Sequence, residues 1–476
     1  MKFVNNIKTI SIILLVMLAF LQFAIIISDN YSDLSKLFDS NTPPASKDIF
    51  SYDYVSMESI RISDGESNYW DLPRRTDEYY QLQLVANEIL KQLSTSPLQY
   101  VSKESWVDLL SEKYIMFQYY CTVPLSFVSA YSGKSQGDVG INKIYQLVIH
   151  PTSPDIDFYI YDGNSYYELE YDATNDNLLN SIDYDSIFNF IKYTNFYDKN
   201  SYKLLGSHPA AYQLRGNNDV KLYMGSPHKY QLAINITPSL IADISTSKDT
   251  YDLKELKGRL FGVMQDRFTS SLSSDQKVFF SNMENQYSVS CDGRITYDYF
   301  GKQTSTGKGD VDMAYNKALS MMEKVLGLMD EKTSATLVLT DIDYSNPKYY
   351  VFNFDYLVEG DMPVYIYDNS TYSDLQHAFT VQASQDIVLK LTGMIRTILT
   401  DKQTAAYYEN DSVKLLTEQD FHLEDLYIEK LYNGYIMNVK SNSSTLTAGV
   451  LLQLEKGLTG IPLVLLQFSS SGGAVP

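Results

Sequence analysis

Residues 287–300 read YSVSCDGRITYDYF, and residues 348–356 read KYYVFNFDY. In the first stretch Asp292-Gly293 separates two runs of strand-favouring residues, a hairpin signal. Its second arm places Ile295, Tyr297 and Tyr299 on one face. In the second stretch Tyr350, Phe352, Phe354 and Tyr356 alternate with Val351, Asn353 and Asp355. That is the period of a strand with two unlike faces. Antiparallel sheet is therefore the frame.

Further strands are predicted at YIMFQYYCTV, IYQLVI, DFYIY, KLYMG, KYQLAINI and TLVLTDI. Asp162-Gly163 gives a second two-residue hairpin signal, between FYIY and SYYELEY. Helical spacing appears after Thr76, a suitable N-cap, where Tyr79, Leu82, Ala86, Ile89 and Leu93 recur and Pro97 ends the run. A short helix is expected at Ser105–Leu110, and helix-like patterns recur in SIFNFIKYTNF and DLKELKGRLFGVM. Asp310 caps a further helix whose stripe is Val311, Ala314, Ala318, Met321, Val325 and Leu328. No regular strand–helix alternation and no fixed-period repeat occurs. The expected class is α+β, mostly antiparallel sheet with packed helices.

The N-terminus reads differently. Lys2 and Lys8 precede ISIILLVMLAFLQFAIII at residues 10–27. Eighteen residues at about 1.5 Å each span roughly 27 Å, near the thickness of a bilayer's hydrocarbon. The run exceeds a signal-peptide core and ends in IIISDN without an Ala-x-Ala exit, which favours an uncleaved anchor. Lysines before the span and Asp29, Asp33 and Asp39 after it put the N-terminus in the cytoplasm. Gln22 is the strongly polar residue in the run and can hydrogen-bond a partner helix or meet headgroups; Leu18, Phe20 and Phe23 supply packing surface. These four are the candidate interaction residues. The organisation expected is a cytoplasmic end (1–8), an anchor (9–28), a linker with Pro43-Pro44 (29–50), extracytoplasmic α+β domains at 51–200 and 201–308, a C-terminal α+β domain (309–468) and a disordered tail (469–476). The apolar IPLVLLQF near the C-terminus is short enough for a buried strand.

Composition removes several function classes. The chain has 476 residues, with 38 Lys+Arg against 58 Asp+Glu and a net charge of −20, which argues against nucleic-acid binding. Its 41 Tyr fit extensive half-exposed sheet, or drift toward AT-rich codons. Two cysteines make no Cys-based metal site; outside the membrane Cys121 and Cys291 can pair across a large loop, and separate buried thiols are the preferred reading. GKQTSTGKG has five residues between Gly301 and Gly307 and lacks the hydroxyl of a phosphate-binding loop. The Ser-x-x-Lys matches at Ser245 and Ser274 have no accompanying Lys-Thr-Gly. His150, His208, His228, His377 and His422 show no His-x-x-x-His spacing; each alone reads as a surface or satisfied core residue. The aspartate runs near 155–162 and 341–343 lack the full calcium-loop pattern. No catalytic constellation and no cofactor site emerges, so the chain reads as a non-enzyme.

The order of anchor, ESWVDLLSEKYIMFQYYCTVPLSFV (104–128), ELKGRLFG (255–262) and YSVSCDGRITYDYF resembles the YycH family of Gram-positive bacteria. KYYVFNFDYLVEGDMPVYIY (348–367) resembles a segment shared by YycH and its sister YycI. IPLVLLQF departs from that pattern, where a Pro-Val-Trp-like strand is expected. The resemblance implies a single-pass membrane protein that associates with the WalK sensor histidine kinase of the WalK–WalR two-component system, often together with YycI. It implies no cofactor, metal or nucleic-acid partner. The competing readings are an extracytoplasmic binding or assembly protein of the cell envelope, and a wall hydrolase with residues converging from distant segments.

Overall fold

A computed structural model describes the chain between Tyr54 and Leu454, with gaps of which the longest are 129–140, 172–181, 189–200, 205–214 and 406–426. The anchor, the linker, IPLVLLQF and the tail lie outside the described residues. Among those residues no helix is long and apolar enough to cross a membrane.

The first sheet is built from β1 (Met57–Asp64), β2 (Tyr69–Asp71), β3 (Leu98–Val101), β4 (Lys113–Pro124), β5 (Lys143–Thr152), β6 (Asp155–Tyr161), β7 (Tyr166–Leu169) and β8 (Ser201–Leu204). A two-residue strand, β9 (Arg215–Gly216), joins another sheet, and β10 (Lys221–Tyr223) completes this one. The spatial order is β10-β8-β2-β1-β4-β5-β6-β7-β3, with every pairing antiparallel. Helix α1 (Asp77–Gln92) begins where Thr76 Oγ1 accepts the Tyr79 amide. Its Tyr79, Leu82, Ala86 and Ile89 share one apolar cluster with Ile60, Ile115, Phe117, Ile149 and Phe158. Helix α2 (Lys103–Leu109) covers the other face of β4 and β5: its Trp106 and Leu109 cluster with Tyr114, Met116 and Val148. Trp106 also stacks on Tyr166 at 4.9 Å. Both faces of β4 are thus covered, which explains why its residues 114–117 (YIMF) are all apolar rather than alternating.

After the one-turn α3 (Leu125–Val128), β11 (Tyr230–Asn235) leads into α4 (Thr250–Phe261) and a 3-10 turn at Gly262–Arg267. The large sheet follows: β12 (Thr269–Leu272), β13 (Lys277–Ser281), β14 (Asn285–Ser290), β15 (Arg294–Tyr299), then, after α5 (Val311–Leu326), β16 (Thr336–Asp343), β17 (Tyr350–Val358), β18 (Met362–Tyr367), β19 (Leu375–Gln376), β20 (Phe379–Ala383) and β21 (Val388–Met394). β22 (Thr397–Ala405) pairs with β11 in a two-stranded sheet, and β23 (Tyr427–Asn438) and β24 (Thr447–Leu454) finish the large one. Its main order is β12-β13-β14-β15-β21-β20-β17-β18-β23-β24, with β16 beside β17, β19 beside β18 and β9 beside β23. Only β18–β23 and β9–β23 are parallel among the described pairings. The architecture is α+β with largely antiparallel sheets. Strands from residues 201–308 are shared among all three sheets.

One face of the large sheet carries the aromatic positions anticipated in KYYVFNFDY. Phe352 and Phe354 are fully buried with Tyr315 of α5, whose ring lies 5.3 Å from Phe352. Asp310 caps α5 by accepting the amides of Asp312 and Met313. The predicted stripe is buried at Ala314, Ala318, Met321, Val325 and Leu328, and Tyr315 and Met322 widen it. The two Asp-Gly hairpins have longer loops than two residues. Tyr161 pairs with Tyr166, and the loop between turns on Asp162 Oδ1, which accepts the Asn164 and Ser165 amides, and on Gly163 at φ 96°. Ser290 and Arg294 flank a three-residue loop with Gly293 at φ 84°. A third residue with Gly in the left-handed region is the standard solution for that length. Cys121 and Cys291 form no disulfide with each other, and each is half-buried.

Candidate functional site

Three features outside ordinary core packing stand out, and each follows from where the strands place polar or apolar side chains. The first is the junction of the two large sheets. Pairing of β4 with β5 breaks between Gln118 and Val123. The freed stretch turns toward β16: Tyr120 packs with Val338 and Leu357, and Tyr344 Oη donates to the Thr122 carbonyl at 3.1 Å. The Leu339 amide donates to the Tyr54 carbonyl at 2.8 Å. Just beyond β4, Ser126 Oγ donates to Asp312 Oδ1 at 2.6 Å, and the Phe127 ring sits 4.5 Å from Tyr315. Lys143 Nζ lies 3.4 Å above the Tyr344 ring, while Lys308 Nζ donates to the Tyr344 carbonyl at 2.7 Å. Burial raises the Tyr344 hydroxyl's pKa, with nearby Cys121 and carboxylates adding to it. Burial also lowers the Lys143 ammonium, helped by Lys308. Burial raises the Asp312 carboxyl, although the Ser126 hydrogen bond works the other way. The junction is aromatic and hydrogen-bonded, so the first sheet and α5 are joined by specific contacts.

The second feature is a buried polar centre on the non-aromatic face of β17. Asp355 is fully buried. Its Oδ1 accepts the Ala378 amide at 2.9 Å, and its Oδ2 accepts Thr340 Oγ1 at 2.5 Å and faces His377 Nδ1 at 2.7 Å. Beside it, Thr380 Oγ1 donates to Asn353 Oδ1, and Asn353 Nδ2 donates to Asp341 Oδ2. Burial opposes charge on His377, but Asp355 and Asp341 outweigh it and the imidazole's pKa is raised. A second polar anchor holds the β14–β15 turn. Arg396 Nη1 donates to the Asp292 and Ile395 carbonyls, and the Ile395 amide donates to the Gly293 carbonyl. Burial lowers the Arg396 guanidinium to about 10. A Cβ at Gly293 would run into the Ile395 carbonyl and this guanidinium, so the glycine is needed for space as well as for its φ.

The third feature is a set of exposed apolar side chains, on the turn before β12 and at the β13–β14 tip. Met283, at the β13–β14 tip, is fully exposed and Val263 is 98% exposed. Met264 and Phe300 are exposed too, and the Phe300 amide donates to the Glu284 carbonyl beside that tip. Exposed apolar groups that are contiguous mark contact surfaces more often than scattered ones do, and Met283 and Phe300 are brought close by that hydrogen bond.

Leu18, Phe20, Gln22 and Phe23 lie outside the described residues, so none of the three features includes them. His377 fits the reading of a satisfied core histidine. The Asp355 centre carries no motif; its sequence signal was an acidic residue on the inner positions of an aromatic strand. Among the described residues no group of three or more His, Cys, Asp or Glu side chains is arranged to hold a metal ion.

No protein-family model matches the chain, and no curated protein matches it in sequence. The crystal structure of YycH from Bacillus subtilis is similar in fold, with a TM-score of 0.50 and 12% sequence identity over 86% of this chain and 96% of that one. The similarity takes in nearly all of that molecule, so it concerns the arrangement of both large sheets and not one hairpin. It shows that this chain has a YycH-like fold, as the resemblance of the segments at 104–128, 255–262, 287–300 and 348–367 leads one to expect.

Proposed function

We propose that this chain is a membrane-anchored, extracytoplasmic regulator that binds a sensor histidine kinase of the WalK type and adjusts its output, in company with a YycI-like protein. The observation that carries the reading is the YycH-like fold across 86% of the chain. The apolar run at residues 10–27, with lysines before it and aspartates after it, supports a single anchor with the bulk outside. In this reading residues 51–200, 201–308 and 309–468 are extracytoplasmic, and the protein is not an enzyme.

The mechanism needs no chemistry. A kinase with two signalling states is biased by any partner that binds them unequally. Tethering both proteins to one membrane supplies the effective concentration. Within the span Gln22 is the polar handle and Leu18, Phe20 and Phe23 the packing surface. Outside it, the exposed Met283 and Phe300 at the β13–β14 tip offer apolar surface for contact.

The test is crosslinking and affinity purification of the full-length protein from its own membranes, beside residues 29–476 alone. Recovery of a sensor kinase only with the full-length form places the main contact in the span. Recovery with both forms places it outside. Wall enzymes or polymers in place of a kinase would favour the envelope-binding reading and overturn this one. Within the span, Gln22→Leu is expected to weaken co-purification and shift kinase output; no change in either would remove Gln22 from the mechanism.

A further inference from the structure

His377 and Ala378 form the corner between β19 and β20. Three separate elements meet there on one carboxylate. Asp355 of β17 accepts Thr340 of β16 through one oxygen and the Ala378 amide through the other, and His377 Nδ1 stands 2.7 Å from it. Asp355 is 0% exposed and the His377 side chain 15%. The charged and titratable groups facing His377 are Asp355 on β17, Asp341 on β16 and the Tyr365 ring on β18, its centroid 6.1 Å away. On the β19 side, among the described residues, β19 meets β18 through two residue pairs, Ile366–Gln376 and Tyr367–Leu375. On the β20 side the Met394 amide donates to the Ala378 carbonyl at 2.9 Å.

We propose that Asp355 and His377 form a proton-operated clamp, in which the charged imidazole pins the 375–378 corner to β17 and loss of its proton loosens that corner. A buried carboxylate is tolerated when paired and fully hydrogen-bonded. Neutral imidazole leaves Asp355 with only neutral donors, in a place water does not reach. The direction follows from linkage. His377 in the folded protein holds its proton above the ordinary pH for histidine, so the clamp is fully engaged below about 6.5 and weakens as pH rises through the folded value. The strand affected, β18, also carries the parallel pairing to β23, so the corner is placed to pass its state to the C-terminal strands.

The experiment uses the full-length chain in detergent micelles. Nitrogen-15 NMR of labelled histidines follows each imidazole from pH 5 to 9, and the signal lost in His377→Gln identifies this one. Amide exchange of residues 375–383, corrected for intrinsic rates, is measured over the same range. The expected result is a midpoint above 6.5, with corner protection falling at that same midpoint by roughly tenfold for each unit of displacement. In His377→Gln the fall is absent. A midpoint at or below 6.5, flat corner protection while His377 titrates, or the same fall in His377→Gln would each overturn the clamp. If His377→Gln fails to fold, His377→Asn serves for assignment. Once the signal is assigned, the wild-type coincidence of imidazole midpoint and corner exchange is decisive.

Discussion

Phe127 is the side chain on which coupling between the two large sheets depends most directly. It is fully buried on α3, immediately after β4, with its ring 4.5 Å from Tyr315, which in turn packs on Phe352 of β17. Phe127→Ala removes a ring that buries roughly 150–250 Å², worth about 4–6 kcal/mol at ~25 cal/mol per Å². Partial collapse of neighbours brings the expected loss to about 3–5 kcal/mol. The chain contains only two tryptophans, Trp70 on β2 and Trp106 on α2, and both belong to the first sheet. Tryptophan fluorescence therefore follows the first sheet, while far-UV circular dichroism follows both. In urea the two signals of residues 29–476 are expected to fall together, because the junction makes separate unfolding unfavourable. In Phe127→Ala they are expected to move apart. A loss below about 1 kcal/mol, or transitions already separate in the wild type, would refute the reasoning that Phe127 carries the coupling.

Two further substitutions test the packing and the electrostatics. A Cβ at Gly393 would press into the ring of Phe379, its partner across β20–β21, and Phe379 is itself fully buried against Tyr356. Gly393→Ala is expected to cost about 1–3 kcal/mol in urea unfolding, and Phe379→Leu in the same chain to recover part of it. Asp312 has its pKa raised by burial, so the folded state binds its proton more tightly than the unfolded chain does. That contribution is present at low pH and fades as pH rises through the folded value. In Asp312→Asn, whose amide oxygen still accepts from Ser126, the acid-side contribution should vanish, with stability at pH 7 equal to or above wild type. Unfolding free energies at pH 4 and pH 7 check it.

What was legible in the sequence was local. Thr76 and Asp310 cap their helices as N-cap chemistry requires, because a side chain accepting amides two or three residues ahead is a contact within one turn. The alternation in KYYVFNFDY marked β17, because a strand's side-chain period is written into its own residues. The loop lengths at Gly163 and Gly293 were less legible, since Asp-Gly serves loops of more than one length, and the flanking pairings Tyr161–Tyr166 and Val289–Ile295 decide between them. Long-range pairing was not legible. Nothing in SYKL announces that β8 lies beside β2 across some 130 residues, or that β21 separates β15 from β20 in space. The Asp355 centre combines both kinds of difficulty. Asp355 takes its three partners from positions 340, 377 and 378, and each taken singly is an ordinary residue. Only the crossing of β16, β17 and the β19–β20 corner turns a solitary histidine and a strand aspartate into one buried charged group. In a chain whose resemblance points to binding rather than catalysis, such a group is most informative as a set point of conformation. A carboxylate held by one donor from β16 and two from the β19–β20 corner keeps both in register with β17, and only the imidazole among those donors changes charge near neutral pH.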